Sequence, residues 1–185
     1  MRIAVIVGST RPGRNGLAVA QWVYGLAKPR TSAEYELVDI VAYNLPLFDE
    51  AVPPAMGPGS KEHTKKWAAK IASFDGYVFV TPEYNHAPNA ALKNAMDFLF
   101  KEWNNKAAGF VGYGGTGAVR SVDILRMICA NLELADVRAQ VSLTFAADFE
   151  KFTTFKPLPH QEKTLAGVFD QVEAWAKALK PLRQG

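Results

Sequence analysis

A glycine-rich segment near the start of the chain, GSTRPGRNG at residues 8–16, carries the groups that bind a phosphate. Two hydroxyls and two guanidinium groups lie close together in it, those of Ser9, Thr10, Arg11 and Arg14. Apolar residues at helical spacing follow, so Asn15 is expected to cap a helix whose amide groups face an anion, and Gly16 allows close approach of the backbone. The segment lacks the GxGxxG dinucleotide pattern and the lysine of GxxxxGKS/T, which argues for a monophosphate over a nucleoside triphosphate. A glycine-rich turn with solvated arginines is the alternative.

A second segment, TPEYNHAPNAALKN at residues 81–94, has groups that suit a flat heterocycle. Between its first two prolines lie Glu83, Tyr84, Asn85 and His86. An aromatic side chain flanked by backbone amides can stack on a ring face and hydrogen-bond the polar edge of the ring. Glu83 and His86 could instead form an acid–base or metal-binding pair. A His and a Glu three residues apart in a loop are weak grounds for a metal site, and none is predicted.

A third segment, GYGGTGAVRS at residues 112–121, repeats the order of strand end, glycines and helix start. Tyr113 adds an aromatic ring beside it. Alone, the pattern fits tight packing between a strand and a helix equally well. Beside the other two segments, it is interpreted as a third wall of the same site.

Composition narrows the class of protein. The chain has 185 residues with a net charge of +3 and no dense block of Lys and Arg, which fits one domain and gives no sign of a nucleic-acid partner. Its single cysteine, Cys129, allows no intrachain disulfide and predicts a reducing compartment. No apolar run approaches the roughly 20 residues of a membrane helix. We therefore expect a cytoplasmic protein without a membrane partner.

Short apolar runs alternate with longer helical patterns along the chain. Strands are predicted at residues 3–7, 35–40, 77–80, 107–112 and 137–143, and helices from residue 17 and at 61–73, 89–103, 117–134 and 161–179. The first run, IAVIV, is continuously apolar, which is typical of a parallel strand buried on both faces. This pattern predicts an α/β protein with about five parallel strands, and its ligand at their carboxyl ends. The proline-rich residues 42–60 are predicted to form a long surface loop.

Together the three segments resemble the NADPH-dependent FMN reductase family of the flavodoxin-like superfamily. GSTRPGRNG after the first strand, TPEYN followed by ALKNAMDF, and YGGTG with Arg120 after the fourth strand occur in the family's order and spacing, over about residues 3–126. The resemblance implies a flavodoxin-like three-layer sandwich, with a five-stranded parallel sheet and helices on both faces. It also implies a single FMN-binding domain over residues 1–185.

The resemblance assigns roles to individual residues. It implies that the FMN phosphate is held by Ser9, Arg11, Arg14, Asn15 and Gly16. It implies that the isoalloxazine ring is lined by Pro82, Glu83, Tyr84 and Asn85, and closed on its other side by Tyr113, Gly114, Gly115 and Thr116. One departure concerns the third segment, where the family often has two glycines before the arginine and this chain has Gly117, Ala118 and Val119. The resemblance therefore does not predict the structure of the pocket rim or the choice of acceptor.

The implied activity is an FMN-dependent NAD(P)H oxidoreductase. NADPH or NADH would deliver hydride to FMN and leave, and a small acceptor such as a quinone or free flavin would take its place, which is a ping-pong scheme. No catalytic side chain is predicted, because the cofactor does the redox chemistry. Two alternatives stay open: a flavodoxin-like electron carrier and a non-catalytic flavin-binding redox sensor. The doubly basic first segment argues against the carrier, and nothing in the sequence excludes the sensor.

The helix predicted at residues 89–103 bears on assembly. Its polar residues Lys93, Asp97 and Lys101 form one narrow stripe, and the rest of its surface is more apolar than covering a sheet requires. A second apolar partner is therefore expected, most simply in a homodimer or a dimer of dimers. The alternative is that the proline-rich loop at 42–60 covers this face within one chain.

Overall fold

A parallel sheet of five strands forms the centre of the protein, in the order β2-β1-β3-β4-β5. The computed structural model describes residues 1–183. The strands are β1 (Arg2–Val7), β2 (Glu34–Asp39), β3 (Gly76–Pro82), β4 (Lys106–Gly114) and β5 (Leu134–Thr144). All four pairs of neighbouring strands are parallel, which confirms the predicted α/β sheet.

Helices cover both faces of this sheet. They are α1 (Gly16–Ala27), α2 (Glu62–Ala72), α3 (Ala90–Asp97), α4 (Val119–Asn131), the short α5 (Phe145–Asp148) and α6 (His160–Leu179). Residues of α1 and α6 pack with Val5 and Val7 of β1, whereas residues of α2, α3 and α4 pack with Ala4 and Ile6. Alternate residues of β1 thus enter two separate cores, which explains its continuously apolar sequence. No helix within residues 1–183 is long and apolar enough to cross a membrane.

The helix after the second segment is shorter than predicted. It ends at Asp97, and turns follow in which Trp103 becomes fully buried and donates its indole N–H to the carbonyl of Met96 at 3.2 Å. The prediction of one helix to residue 103 is therefore wrong, since after Asp97 the chain turns back and Trp103 packs against the end of α3. Phe98 is also buried, and Phe48 of the proline-rich loop packs on it at 5.3 Å between ring centroids. The apolar surplus that suggested a dimer through this helix is therefore covered within one chain.

The sequence interpretation missed a small hairpin beyond the sheet. Strands β6 (Phe149–Glu150) and β7 (Thr154–Phe155) pair antiparallel. Lys151 and Phe152 at the turn have positive φ angles of 51° and 62°. Such a turn normally carries Asn or Gly, so the segment EKFT has no recognisable turn signal. β5 is also longer than the predicted 137–143, because it pairs with the whole length of β4.

Candidate active site

The three predicted segments meet at the carboxyl edge of the sheet. They follow β1, β3 and β4, which are neighbours in the sheet, so their first residues lie side by side. The backbone N–H of Gly8 donates to the carbonyl of Val80 at 2.9 Å, and Asn89 donates from its side chain to the carbonyl of Gly8 at 2.7 Å. These two bonds tie the first segment to the strand and helix that flank the second.

The first segment leads into the start of α1, where no side chain of residues 1–183 accepts a hydrogen bond from the helix amides. Asn15 occupies the N-cap position, but it has helical dihedral angles and its side chain makes no capping hydrogen bond. The expectation that its side chain caps the helix is therefore wrong. The amides of the first turn keep their donors, and the positive end of the helix dipole lies among them.

The starts of α3 and α4 differ from that of α1, because protein side chains already accept hydrogen bonds from their backbone amides. At the start of α3, the Asn89 side chain accepts a hydrogen bond from the backbone N–H of Leu92 at 3.1 Å. At the start of α4, the Glu83 carboxylate accepts from the backbone N–H of Arg120 at 3.1 Å. Of these three helix starts, α1 is the one that suits an external anion.

Ser9 supports this assignment of the anion site. Its side chain is fully buried, and its hydroxyl oxygen has no hydrogen-bond partner within the described residues. The Tyr113 hydroxyl lies nearby, but the two do not meet hydrogen-bond geometry. A Cβ placed on Gly16 would collide with the Ser9 hydroxyl and would lie 2.5 Å from that of Tyr113. Gly16 thus lets these two hydroxyls approach the start of α1, and a buried hydroxyl without a partner beside free helix amides fits the phosphate of FMN.

The two arginines of the first segment have different surroundings. Arg14 forms a two-pronged ion pair with Asp39 at the end of β2, with one contact at 2.9 Å, and it also donates to the carbonyl of Ser9. Arg11 is exposed and reaches only carbonyls of its own loop, those of Pro12 at 3.3 Å and Gly13 at 3.5 Å. Arg11 is therefore available to a ligand, whereas Arg14 already holds the loop against the neighbouring strand.

The second segment forms a tight hairpin. Tyr84 and Ala87 exchange backbone hydrogen bonds at 2.9 and 3.0 Å, and Asn85 and His86 between them have φ angles of 51° and 66°. Two consecutive positive φ angles define a type I′ turn, for which Asn is favoured at the first position. The Tyr84 side chain is 40% exposed and Asn85 is exposed, so both are accessible to a ligand. Pro82 is buried in β3.

The third segment begins with buried residues and continues with exposed ones. Tyr113 is 3% exposed and packs in the core, with its hydroxyl directed to Gly16 of the first segment. Burial raises the pKa of Tyr113 to about 12, so its hydroxyl keeps its proton at neutral pH. Gly114 is buried, whereas Gly115 and Thr116 are exposed at the rim. The structure thus brings the Tyr113 hydroxyl to the first segment, beside Gly16.

Three residues that bear on the site were missed by the sequence interpretation. Asp39 and Asn89 order the first segment, as described above, and Asn94 anchors the proline-rich loop by donating to the carbonyl of Pro46 at 2.7 Å and accepting from the N–H of Phe48 at 2.9 Å. Asn89 follows a proline and precedes an apolar helix, which is a recognisable N-cap signal. Asp39 and Asn94 carry no comparable signal, because their partners are distant in sequence.

A cavity of about 260 Å³ lies beside the first segment, between α3 and the turn that follows β2. Its walls are formed by Thr10, Ile40, Val41, Asn44, Leu45, Ala91, Asn94 and Ala95. Apolar side chains and two amides line it, so its chemistry suits an uncharged group more than a second phosphate.

Comparisons with known proteins agree with this geometry. A family model described as NADPH-dependent FMN reductase matches residues 1–148. The NAD(P)H-dependent FMN reductase ntnL of Nectria sp is 36% identical, over 97% of this chain and 89% of the relative. A quinone reductase of Pseudomonas putida is 32% identical, over 76% of this chain and 80% of the relative.

Solved structures show the same fold. FerB from Paracoccus denitrificans, a flavoenzyme NAD(P)H:(acceptor) oxidoreductase, superposes with a TM-score of 0.75 at 21% identity, covering 96% of this chain and 97% of FerB. A flavodoxin mutant from Pseudomonas aeruginosa superposes with a TM-score of 0.55 at 14% identity, covering 96% of this chain and 99% of the flavodoxin. These matches confirm the predicted flavodoxin-like three-layer architecture.

Proposed function

This chain belongs to the NADPH-dependent FMN reductase family, and we propose that it transfers reducing equivalents from NAD(P)H, by way of FMN, to a small acceptor such as a quinone. Membership makes it an oxidoreductase with FMN as cofactor and NAD(P)H as reductant. The quinone as acceptor class is supported by the relatives named as quinone reductases.

The observation that carries the proposal is the unpaired Ser9 hydroxyl beside the uncapped start of α1. In the proposed complex, Ser9 and the first amides of α1 donate to the phosphate, and Arg11 adds a positive charge from the solvent side. Arg14 keeps the loop in place through Asp39. When bound, FMN supplies the redox chemistry by accepting a hydride and returning two electrons.

The ring end of the proposed site is formed by the hairpin and the third segment. Tyr84 offers an aromatic face, and Gly115 has open space around it, since a Cβ there would meet nothing within 4 Å. Within the described residues, the backbone N–H groups of Asn85 and His86 donate no hydrogen bond. Two free amides on a tight turn suit the stabilisation of negative charge on a reduced ring.

The proposed kinetic scheme is ping-pong, with NAD(P)H and the acceptor using the same face in turn. The test is to mix the FMN-loaded protein with NADPH without acceptor in an anaerobic stopped-flow instrument, and to add a quinone in a second mix. We expect bleaching of the flavin absorbance in the first mix and its return in the second, with parallel lines in double-reciprocal plots. Bleaching that requires the quinone, or intersecting lines, would contradict the scheme, and no NADPH oxidation at all would favour the redox sensor.

Assembly as a homodimer or a dimer of dimers, and a cytoplasmic location, remain proposals. The exposed side chains of Leu47 and Met56 in the proline-rich loop, 81% and 80% exposed, offer an apolar surface for a second copy. Light scattering tests this, because a mass that stays near 20 kDa at all concentrations would exclude the dimer. Met56→Asp should lower the mass if this loop forms the interface. Cell fractionation tests the location.

A further inference from the structure

The carboxylate of Glu83 connects the second segment to the start of α4. Its Oε2 accepts hydrogen bonds from the backbone N–H groups of Arg120 at 3.1 Å and Ser121 at 3.4 Å. Its Oε1 lies 3.4 Å from Nη1 of Arg120. The Glu83 side chain is only 10% exposed. This carboxylate is thus occupied by donors at the start of α4.

The start of α4 depends on this contact. Its N-cap residue, Ala118, has no polar side chain and lies in the left-handed region with φ 57°, so the helix makes no cap of its own. A second bond runs in the opposite direction, since the Ser121 hydroxyl donates to the carbonyl of Pro82 at 3.0 Å. Beyond the pairing of β3 with β4, side chains therefore join the second and third segments at Glu83, at Pro82 and at Thr81, whose hydroxyl lies 3.2 Å from that of Ser121.

The geometry points to Glu83 as a positioning residue that holds the Tyr84–Ala87 hairpin in the conformation that receives the flavin ring. This inference rests on the proposed function, and the expectation that Glu83 lines the ring stays a prediction beside it. Among the described residues, the other side-chain contacts between this stretch of chain and α4 are those of the Ser121 hydroxyl with Pro82 and Thr81. Without the carboxylate, the hairpin should spend part of its time in conformations that cannot bind.

The expected change in FMN affinity follows from the fraction of molecules whose hairpin is in the receptive conformation. If the receptive conformation falls to about a tenth of the molecules, the apparent dissociation constant of FMN rises about tenfold, because it scales with the inverse of the competent fraction. Because the Tyr84–Ala87 hairpin is proposed to contact the flavin ring, a change in its conformation should also change the reduction potential and the visible spectrum of bound FMN.

The test compares two glutamates that each accept a backbone N–H at a helix start. Glu83→Gln is the variant, and Glu50→Gln is the matched control, because Glu50 accepts from the N–H of Lys61 at 3.0 Å at the start of α2. Ser121→Ala removes the second connection without touching the carboxylate. For each protein we would measure the thermal midpoint of the apoprotein, the FMN dissociation constant by fluorescence quenching, and the spectrum and potential of bound FMN.

We expect Glu83→Gln to weaken FMN binding about tenfold and to shift its spectrum and potential, and Ser121→Ala to do the same to a smaller extent. Glu50→Gln should change only the thermal midpoint. If Glu83→Gln matched Glu50→Gln in FMN affinity, spectrum and potential, the positioning role would be refuted while the proposed function stood. If the parent protein failed to bind FMN, both would be refuted. Should Glu83→Gln not fold, unchanged FMN binding in Ser121→Ala would overturn the inference.

Discussion

Replacing Ser9 by alanine should have opposite effects on the stability of the apoprotein and on its affinity for FMN. Within the described residues, the Ser9 hydroxyl is fully buried and has no hydrogen-bond partner, although the Tyr113 hydroxyl lies close to it. Alanine keeps the rest of the side chain and removes the oxygen. A buried polar group without a partner calls for an explanation, and a hydrogen bond to a bound ligand provides one.

The magnitudes follow from the surroundings of the hydroxyl. An unsatisfied buried polar group destabilises the folded state by about 1–3 kcal/mol, so the free energy of unfolding of apo Ser9→Ala should rise by about 1 kcal/mol. A hydrogen bond to a charged group contributes about 1.5–3 kcal/mol, so loss of the bond to the phosphate should raise the FMN dissociation constant about 10- to 100-fold. Riboflavin has no phosphate, and its affinity should stay the same.

Urea unfolding of the apoproteins and fluorescence titrations with FMN and riboflavin measure both effects. Ser73→Ala is the control, because its exposed hydroxyl is already paired with the carbonyl of Lys70 at 2.7 Å, away from the site. The reasoning is refuted if Ser9→Ala binds FMN as tightly as the parent. It is equally refuted if FMN and riboflavin lose the same affinity, since the hydroxyl would then not contact the phosphate.

Four further predictions follow from the same geometry. Arg11→Ala should weaken FMN binding about tenfold at unchanged stability. Arg14→Ala should chiefly lower the urea midpoint, because it removes the ion-pair partner of Asp39. Equal effects of the two variants on FMN affinity and on the urea midpoint would contradict these different roles. Tyr84→Ala should alter the spectrum or the rate of flavin reduction with little loss of stability, and an unchanged spectrum and rate would place the ring elsewhere. His86→Gly should raise the free energy of unfolding by about 1 kcal/mol, since glycine adopts its φ of 66° without strain, and a lower urea midpoint would argue against the type I′ turn. Burial lowers the pKa of Lys106 to about 8 in the folded protein, so above that pH the unfolded chain binds more protons than the folded one. The free energy of unfolding should therefore rise by about 2 kcal/mol from pH 7 to 9.5. Lys106→Met should abolish this rise.

Much of the fold could be predicted because its signals are local. The run IAVIV predicts a strand covered on both faces, and β1 has alternate residues in two cores. The ends of helices and strands were harder to predict from the sequence where packing decides them. Trp103 ends the predicted helix early, and the turn at Lys151 and Phe152 forms without the residues that normally mark one.

By itself the sequence determined where the site lies, because segments that follow β1, β3 and β4 must meet at one edge of a parallel sheet. Only the tertiary structure decided what each side chain does there. Arg14 pairs with Asp39, 25 residues away, and Glu83 with the backbone amide of Arg120, 37 residues away, so both side chains have partners within the protein. The physical reason is that a charged group pairs with an oppositely charged or hydrogen-bonding group that is close in space. Separation along the chain does not reveal the distance between the two groups in the fold. The unpaired hydroxyl of Ser9 likewise becomes visible only when every possible partner has been placed around it.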